Sequence, residues 1–267
     1  MTKTAPTPVT DLRFFTMPAM ASGEGARIAH RLTPPKDRNA PTIVFLPGYM
    51  SDMGGSKATM LYHAAREARI GALLLDYSGC GQSSGDFADG TLSRWRDEVL
   101  TLIDARVSGP IVLVGSSMGG WLMLMVARAL VESGQGDRLM GMVGIAAAPD
   151  FTQWGYTSAQ KADLVAGRIV LEPNPYGPDP TPTHPRFWAD GEKNRLLEDE
   201  IALDMPTMLI HGQKDSDVPW EISLRLSATL RSGAVQLCLV KDGDHRLSKE
   251  ADLALIRRSV FALAGIG

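Results

Sequence analysis

Short apolar runs that end in glycine loops, alternating with longer stretches of helical period, constrain this chain more than any other feature of its sequence. "TIVFLPG", "GALLLDYSG", "IVLVG", "MGMVGIAAAP", "TMLIHG" and "VQLCLV" each have the length and bulk of a buried strand. Between them lie residues 57–69, residues 91–106 and the run "WLMLMVARALV", and further helices are predicted at about 220–231 and 250–264. In the 91–106 segment Leu92, Trp95, Val99, Leu102 and Ile103 recur at the spacing that puts them on one helix face. The run after "IVLVG" is apolar on every side, as a helix packed against a sheet would be. Strands separated by helices cannot be hairpins and therefore run parallel. "LRFFTM" and "ARIAHRL", with only "PAMASGEG" between them, predict instead an opening antiparallel pair. The expected fold class is α/β: a mostly parallel central sheet flanked by helices, in a single domain over residues 1–267.

Residues 150–205 break the rhythm. They hold no clear strand, and Pro173, Pro175, Pro178, Pro180, Pro182 and Pro185 fall within thirteen positions, which rules out a continuous helix there. Trp154, Tyr156, Tyr176, Phe187 and Trp188 are scattered through the same interval. A long irregular insertion between two parallel strands is expected to serve as a lid or binding loop, against the plainer reading of a surface excursion packed on the body.

Composition narrows the partners. The chain is 44% hydrophobic and 21% charged, with a formal net charge of -3, so it offers no basic footprint for nucleic acid and no polybasic segment for a membrane surface. No run has the length and continuity of a membrane span, and no apolar stretch opens the chain as a signal peptide would. The two cysteines, Cys80 and Cys238, form neither a CxxC pair nor a disulfide framework, which fits a reducing compartment. The expected location is the cytoplasm.

The chemistry concentrates where the strand "IVLVG" runs into Gly115, Ser116, Ser117, Met118 and Gly119, a GxSxG between strand and helix. Glycines two positions either side of Ser117 are needed because larger side chains would collide as strand and helix close on each other, leaving the serine held clear of the backbone. Ser116 lacks this symmetric pair of glycines. A serine hydroxyl needs a base, usually a histidine oriented by a carboxylate. Of five histidines, His30 sits in a predicted edge strand, His63 in a helix, and His184 among the prolines of the insertion. His211 ends the strand "TMLIHG" and reads as a packed residue before a glycine turn. His245, in the loop "KDGDHRLS" after the last strand, is the candidate base. Asp215 in "HGQKDSDVPW" is the candidate carboxylate, with Asp217 its nearest rival and Asp242 and Asp244 further behind. Ser117, Asp215 and His245 each follow a separate predicted strand, an order that gathers them on one edge of a parallel sheet. Oxyanion donors are expected from the backbone amides of Met118, at the helix start, and of Tyr49, in the loop "LPGYMSDMGGSK". That loop has no GxxxxGK[ST] and no GxGxxG, so a nucleotide site is not expected.

"LPGY", "DYSGCGQSSG", "LVGSSMGGWLML", "HGQKDSDVPW" and "DHR" together resemble the α/β-hydrolase superfamily. More narrowly, they are similar to its branch of mitochondrial palmitoyl-protein thioesterases and mycophenolic acid acyl-glucuronide esterases, with their bacterial relatives. The resemblance runs from about Pro47 to the C-terminal helix. It implies a serine hydrolase with Ser117 as nucleophile, His245 as general base and acid, Asp215 as orienting carboxylate and the amides of Tyr49 and Met118 as oxyanion hole. Two departures stand out: no transit peptide precedes the first predicted strand, and residues 173–185 do not look like a helical lid. The expected reaction is two-step acyl transfer on a small acyl ester or thioester, or an acylated protein, with no metal and no organic cofactor. Met50, Met53, Met118 and Met123 would suit an apolar acyl group, although methionines at helical spacing are more often core. Perhydrolysis or C–C bond hydrolysis would use the same side chains, and a ligand-binding protein on the same scaffold is the alternative from outside enzymology. A thiol-dependent lactone hydrolase would need cysteine where Ser117 stands.

Overall fold

The computed structural model describes residues 11–18, 25–175 and 177–266. In chain order the elements are β1 (Leu12–Thr16), β2 (Arg27–Thr33), β3 (Thr42–Leu46), α1 (Ser56–Ala68), β4 (Gly71–Leu75), α2 (Leu92–Arg106), β5 (Ile111–Ser116), α3 (Met118–Glu132) and β6 (Leu139–Ile145). The later part adds α4 (Phe151–Trp154), α5 (Ser158–Val165), β7 (Val170–Glu172), β8 (Thr181–Thr183), α6 (Pro185–Lys193), β9 (Thr207–Gly212), α7 (Glu221–Thr229), β10 (Val235–Val240) and α8 (Glu250–Leu263).

All five residues of β3 are buried, Ile43 and Phe45 in one apolar cluster and Val44 and Leu46 in another. The period-2 alternation of side chains thus feeds two cores, one on each face of the sheet. One core takes Leu61, Tyr62 and Ala65 from α1 and Ile256 and Val260 from α8. The other takes Trp95, Val99 and Leu102 from α2, Trp121 and Leu122 from α3, and Leu226 from α7. Both buried indoles keep a hydrogen bond: Trp95 Nε1 donates to the Ser78 carbonyl at 3.1 Å and Trp121 Nε1 to that of Asn194 at 3.0 Å. The eight-stranded sheet has the order β1-β2-β4-β3-β5-β6-β9-β10, antiparallel at β1/β2 and β2/β4 and parallel from β4 to β10. The α/β class, the parallel sheet and the flanking helices are as the sequence pattern predicts.

Two expectations need correction. The strand carrying His30 is not an edge: β2 lies between β1 and β4, and His30 is fully buried. Sequence shows that two strands pair but not which further strand crosses back beside them. The second correction is that the 150–205 interval does contain strands, since β7 and β8 pair antiparallel with Leu171 opposite Pro182. Three-residue strands carry too little periodicity to be read, and a two-stranded ribbon has open edges where a proline without an N–H is tolerated. Pro185 then opens α6 at a position where its missing N–H has no helical partner to lose. Asp150 closes the interval on itself, its two carboxylate oxygens accepting from the N–H groups of Leu196 and Leu197, each at 2.8 Å. Tyr176, one of the aromatics noted above, and residues 1–10, where a leader was sought, lie outside the described residues.

Strand β5 and helix α3 approach so closely that a Cβ on Gly115 would lie 2.2 Å from the Gly119 carbonyl oxygen, and one on Gly119 would lie 2.0 Å from that of Leu46. Backbone on both sides leaves nothing to move aside. Gly119→Ala is expected to lower stability by about 3 kcal/mol, the upper end for overpacking, read as a lower urea midpoint at unchanged slope. An unchanged midpoint would contradict this packing.

Candidate active site

Ser117 sits between β5 and α3 with φ 56° and ψ -123°, a conformation few non-glycine residues adopt. Neighbouring backbone holds it there: its N–H donates to Ile145 at 2.9 Å, and its carbonyl accepts from Gly120 at 2.8 Å and Ala148 at 3.0 Å. Ser116, by contrast, is the buried last residue of β5. The loop after β3 comes up against the same turn, since a Cβ on Gly48 would lie 3.3 Å from that of Ser117. Tyr49 follows Gly48 in that loop, and Met118 follows the serine directly. Met118 is also the first residue of α3, where free N–H groups and the helix dipole favour negative charge.

Asp215 and His245 follow β9 and β10, the adjacent parallel strands at the end of the sheet. A Cβ on Gly212 would lie 2.3 Å from the Gly243 carbonyl, so the two loops touch through glycine backbone, and Lys214 N–H donates to that carbonyl at 2.9 Å. His245 Nδ1 lies 2.8 Å from Asp215 Oδ2, whose side chain is fully buried. The same oxygen lies 3.1 Å from His211 Nε2, while Oδ1 accepts from the N–H groups of Asp217 and Val218, both at 2.9 Å. Burial alone would raise the Asp215 carboxyl, but the hydrogen bonds from His211 and His245, with the charge of His245 and the Val218 amide, outweigh it and hold the group well below the ordinary carboxylate range. Of the rival carboxylates, Asp242 pairs with Lys214 on the surface and Asp244 Oδ1 accepts from Leu247 N–H.

Ser117 and His245 share the wall of a cavity of about 660 Å³. Phe151, Trp154 and Tyr156 line it from the 150–205 interval, and Tyr49, Met50 and Met118 from the body. Of the four methionines, Met53 and Met123 are core residues and do not reach the cavity. His30, His63 and His184 do not line it either. At the His245 side lie Arg246 and Lys57, whose Nζ donates to the Arg246 carbonyl at 2.5 Å. Burial and the Arg246 guanidinium push the Lys57 ammonium down to about 8. Among the described residues no group of three or more His, Cys, Asp or Glu side chains is gathered as a metal would need, and no helix is long and apolar enough to cross a membrane.

The Ser117 elbow, the adjacent Asp–His loops and the parallel sheet that carries them define a class. The chain belongs to the alpha/beta hydrolase family, whose sequence profile matches residues 43–258. Over 221 residues, 81% of this chain and 72% of the relative, it is 37% identical to the mitochondrial palmitoyl-protein thioesterase ABHD10 of Mus musculus. A solved hydrolase from Agrobacterium vitis S4 superposes with a TM-score of 0.88 at 35% identity, covering 95% of this chain and 98% of that one. The structure of mouse alpha/beta hydrolase domain-containing protein 10 superposes at 0.83 and 31% identity, with the same coverage.

Two residues of this site do more than the sequence predicts for them. His211, read as packing, also contacts Asp215, and its spacing of four positions from that residue was the available signal. Tyr49 was singled out for its amide, yet its hydroxyl donates to the Pro182 carbonyl at 2.8 Å and its ring packs 4.8 Å from that of Phe187.

The depressed Asp215 carboxyl has a consequence for acid stability. Its contribution is complete above the unfolded value of about 3.9 and is lost as pH falls through the lower folded value. The stability difference between the native protein and Asp215→Asn, measured in urea from about pH 6 down to about pH 2, is therefore expected to shrink as pH falls. A difference independent of pH would mean that the charged form of Asp215 adds nothing to the fold.

Proposed function

We propose that the protein is a serine esterase or thioesterase that works through Ser117, His245 and Asp215. The 2.8 Å contact between His245 Nδ1 and Asp215 Oδ2 carries this reading, because it leaves Nε2 as the imidazole's free nitrogen on a cavity wall shared with Ser117. In the first step His245 Nε2 takes the Ser117 proton as Oγ attacks the acyl carbonyl. The amides of Tyr49 and Met118 receive the oxyanion, and His245 returns the proton to the departing alcohol or thiol. Water, deprotonated by His245, then attacks the acyl carbonyl, and His245 returns that proton to Ser117 Oγ as the acid leaves.

The acyl group is apolar in this reading because Phe151, Trp154 and Tyr156 line one part of the cavity, while Lys57, Glu172, Asp217 and Arg246 line another. The relative named as a palmitoyl-protein thioesterase supports an acyl thioester, including one borne by a protein. Residues 150–205 act as a cap within a single domain. Cys80 is buried, and burial pushes its thiol up to about 12, so it stays protonated and is no rival nucleophile. Two free cysteines suit a reducing, cytoplasmic setting.

A fluorophosphonate probe is expected to label the native protein at Ser117 and not Ser117→Ala, which should lose on the order of 10⁴-fold or more in kcat. Asp215→Asn should lose about 10³- to 10⁴-fold and Asp217→Asn less than about threefold. Across p-nitrophenyl esters and acyl thioesters of graded chain length, kcat/KM should rise with the acyl chain. Labelling at another residue would refute the mechanism, and a preference for acetyl groups would refute the apolar acyl site.

A further inference from the structure

We infer that His211, buried behind Asp215, is a positioning residue of this reaction: its ring holds the Asp215 carboxylate in the one orientation that serves His245. The inference rests on the triad proposed above and adds a fourth member that does not touch substrate.

His211 is fully buried near the end of β9, where it pairs with Leu239 of β10. Three polar atoms surround its ring. Nε2 lies 3.1 Å from Asp215 Oδ2 and 3.1 Å from the Val218 carbonyl oxygen, and Nδ1 lies 2.6 Å from Ser223 Oγ in α7. A carbonyl and a carboxylate can only accept, so Nε2 carries the proton; the Ser223 hydroxyl, equally buried, is free to donate to Nδ1 of a neutral ring. The two acceptors at Nε2 thereby set the tautomer that presents an N–H to Asp215, and the Ser223 hydroxyl satisfies the nitrogen left over.

Asp215 Oδ2 thus receives two imidazole N–H groups and Oδ1 two backbone N–H groups. A buried carboxylate with all these directions filled cannot rotate without leaving a donor unmet. Ordinary packing needs no such match, since a leucine of similar bulk would fill the space. Removing the His211 donor would free Oδ2 on one side and leave the carboxylate more basic, so that it binds the protonated form of His245 more tightly. The acidic limb of kcat/KM would then move to higher pH. The other charged groups around the pair, Lys57 from α1, Asp217 after β9, and Asp244 and Arg246 beside His245, are untouched by a change at His211.

Glutamine and asparagine separate this role from packing, because an amide nitrogen on Gln reaches the Nε2 position and one on Asn reaches only as far as Nδ1. His211→Gln should keep kcat/KM within about fivefold of native with an unmoved acidic limb, while His211→Asn should lose about 10- to 100-fold, mostly in kcat. His211→Leu should resemble the Asn variant, with the acidic limb raised by about half a pH unit or more and KM within about threefold. Circular dichroism and thermal midpoints establish that each variant is folded. Should Leu fail to fold, the Gln and Asn pair decides alone. Equal activities and equal acidic limbs for Gln and Asn would overturn the inference while native protein still carries the probe on Ser117. A native protein that neither takes the probe nor hydrolyses esters would instead overturn the proposed function.

Discussion

The contact of strand β5 with helix α3 through Gly115 and Gly119 governs the rest of the site. Any side chain at either position would meet a carbonyl oxygen at about 2 Å, so the turn between them closes to its limit and Ser117 is forced to positive φ. From that single constraint follow the exposure of the hydroxyl, the placing of the Met118 amide at the first turn of a helix, and the approach of Gly48 to the serine Cβ. Strain of this kind costs on the order of 1–3 kcal/mol and persists only where the surroundings over-determine it. Here the surroundings are β6 and its following loop, which bind both the N–H and the carbonyl of Ser117.

A second glycine contact, Gly212 against Gly243, does for Asp215 and His245 what the first does for Ser117. It brings the loops after β9 and β10 close enough for one carboxylate oxygen to lie within hydrogen-bond reach of both His211 and His245. A buried carboxylate is costly unless each of its lone-pair directions is met. Asp215 satisfies that demand with two backbone and two imidazole donors, and Asp217, two residues further on, spends its own amide on the task. In the proposed reaction this explains why Asp215 and not Asp217 serves as the orienting group.

Legibility in the sequence followed the range of the interaction. The strands and helices were readable because apolar period is local, and the elbow because both glycines lie within two residues of Ser117. Chain order was enough to bring Ser117, Asp215 and His245 to one sheet edge. Strand order was not: that β4 lies beside β2 depends on a crossover that no short pattern encodes. The β7/β8 ribbon escaped notice because three residues cannot establish a period of two. His211 could be read as buried from its apolar strand, but not as partnered, since the Ser223 hydroxyl that meets its Nδ1 lies twelve positions away across a turn.

The interval from Asp150 to Met205 follows a different physical logic from the sheet edge. Its ends are clasped by the Asp150 carboxylate, which burial pushes up in pKa even though it accepts from Leu196 and Leu197. Its interior is held to the body by aromatic contact, with the rings of Phe187, Phe151 and Tyr49 within about 6 Å of one another. Such contacts are extensive but tolerant, so the residues that face the cavity can change without disturbing the glycine contacts beneath. Polar bonds also cross between the two regions, among them Ser93 with Asp190 and, beside Ser117, the Tyr49 hydroxyl to the Pro182 carbonyl. Because the amide of that same tyrosine is the proposed oxyanion donor, the seating of the interval and the geometry of the oxyanion hole share one residue. In the proposed reaction, acyl preference and rate are for that reason coupled at Tyr49, whereas they are separable at Asp215 and His211, which are buried and do not line the cavity.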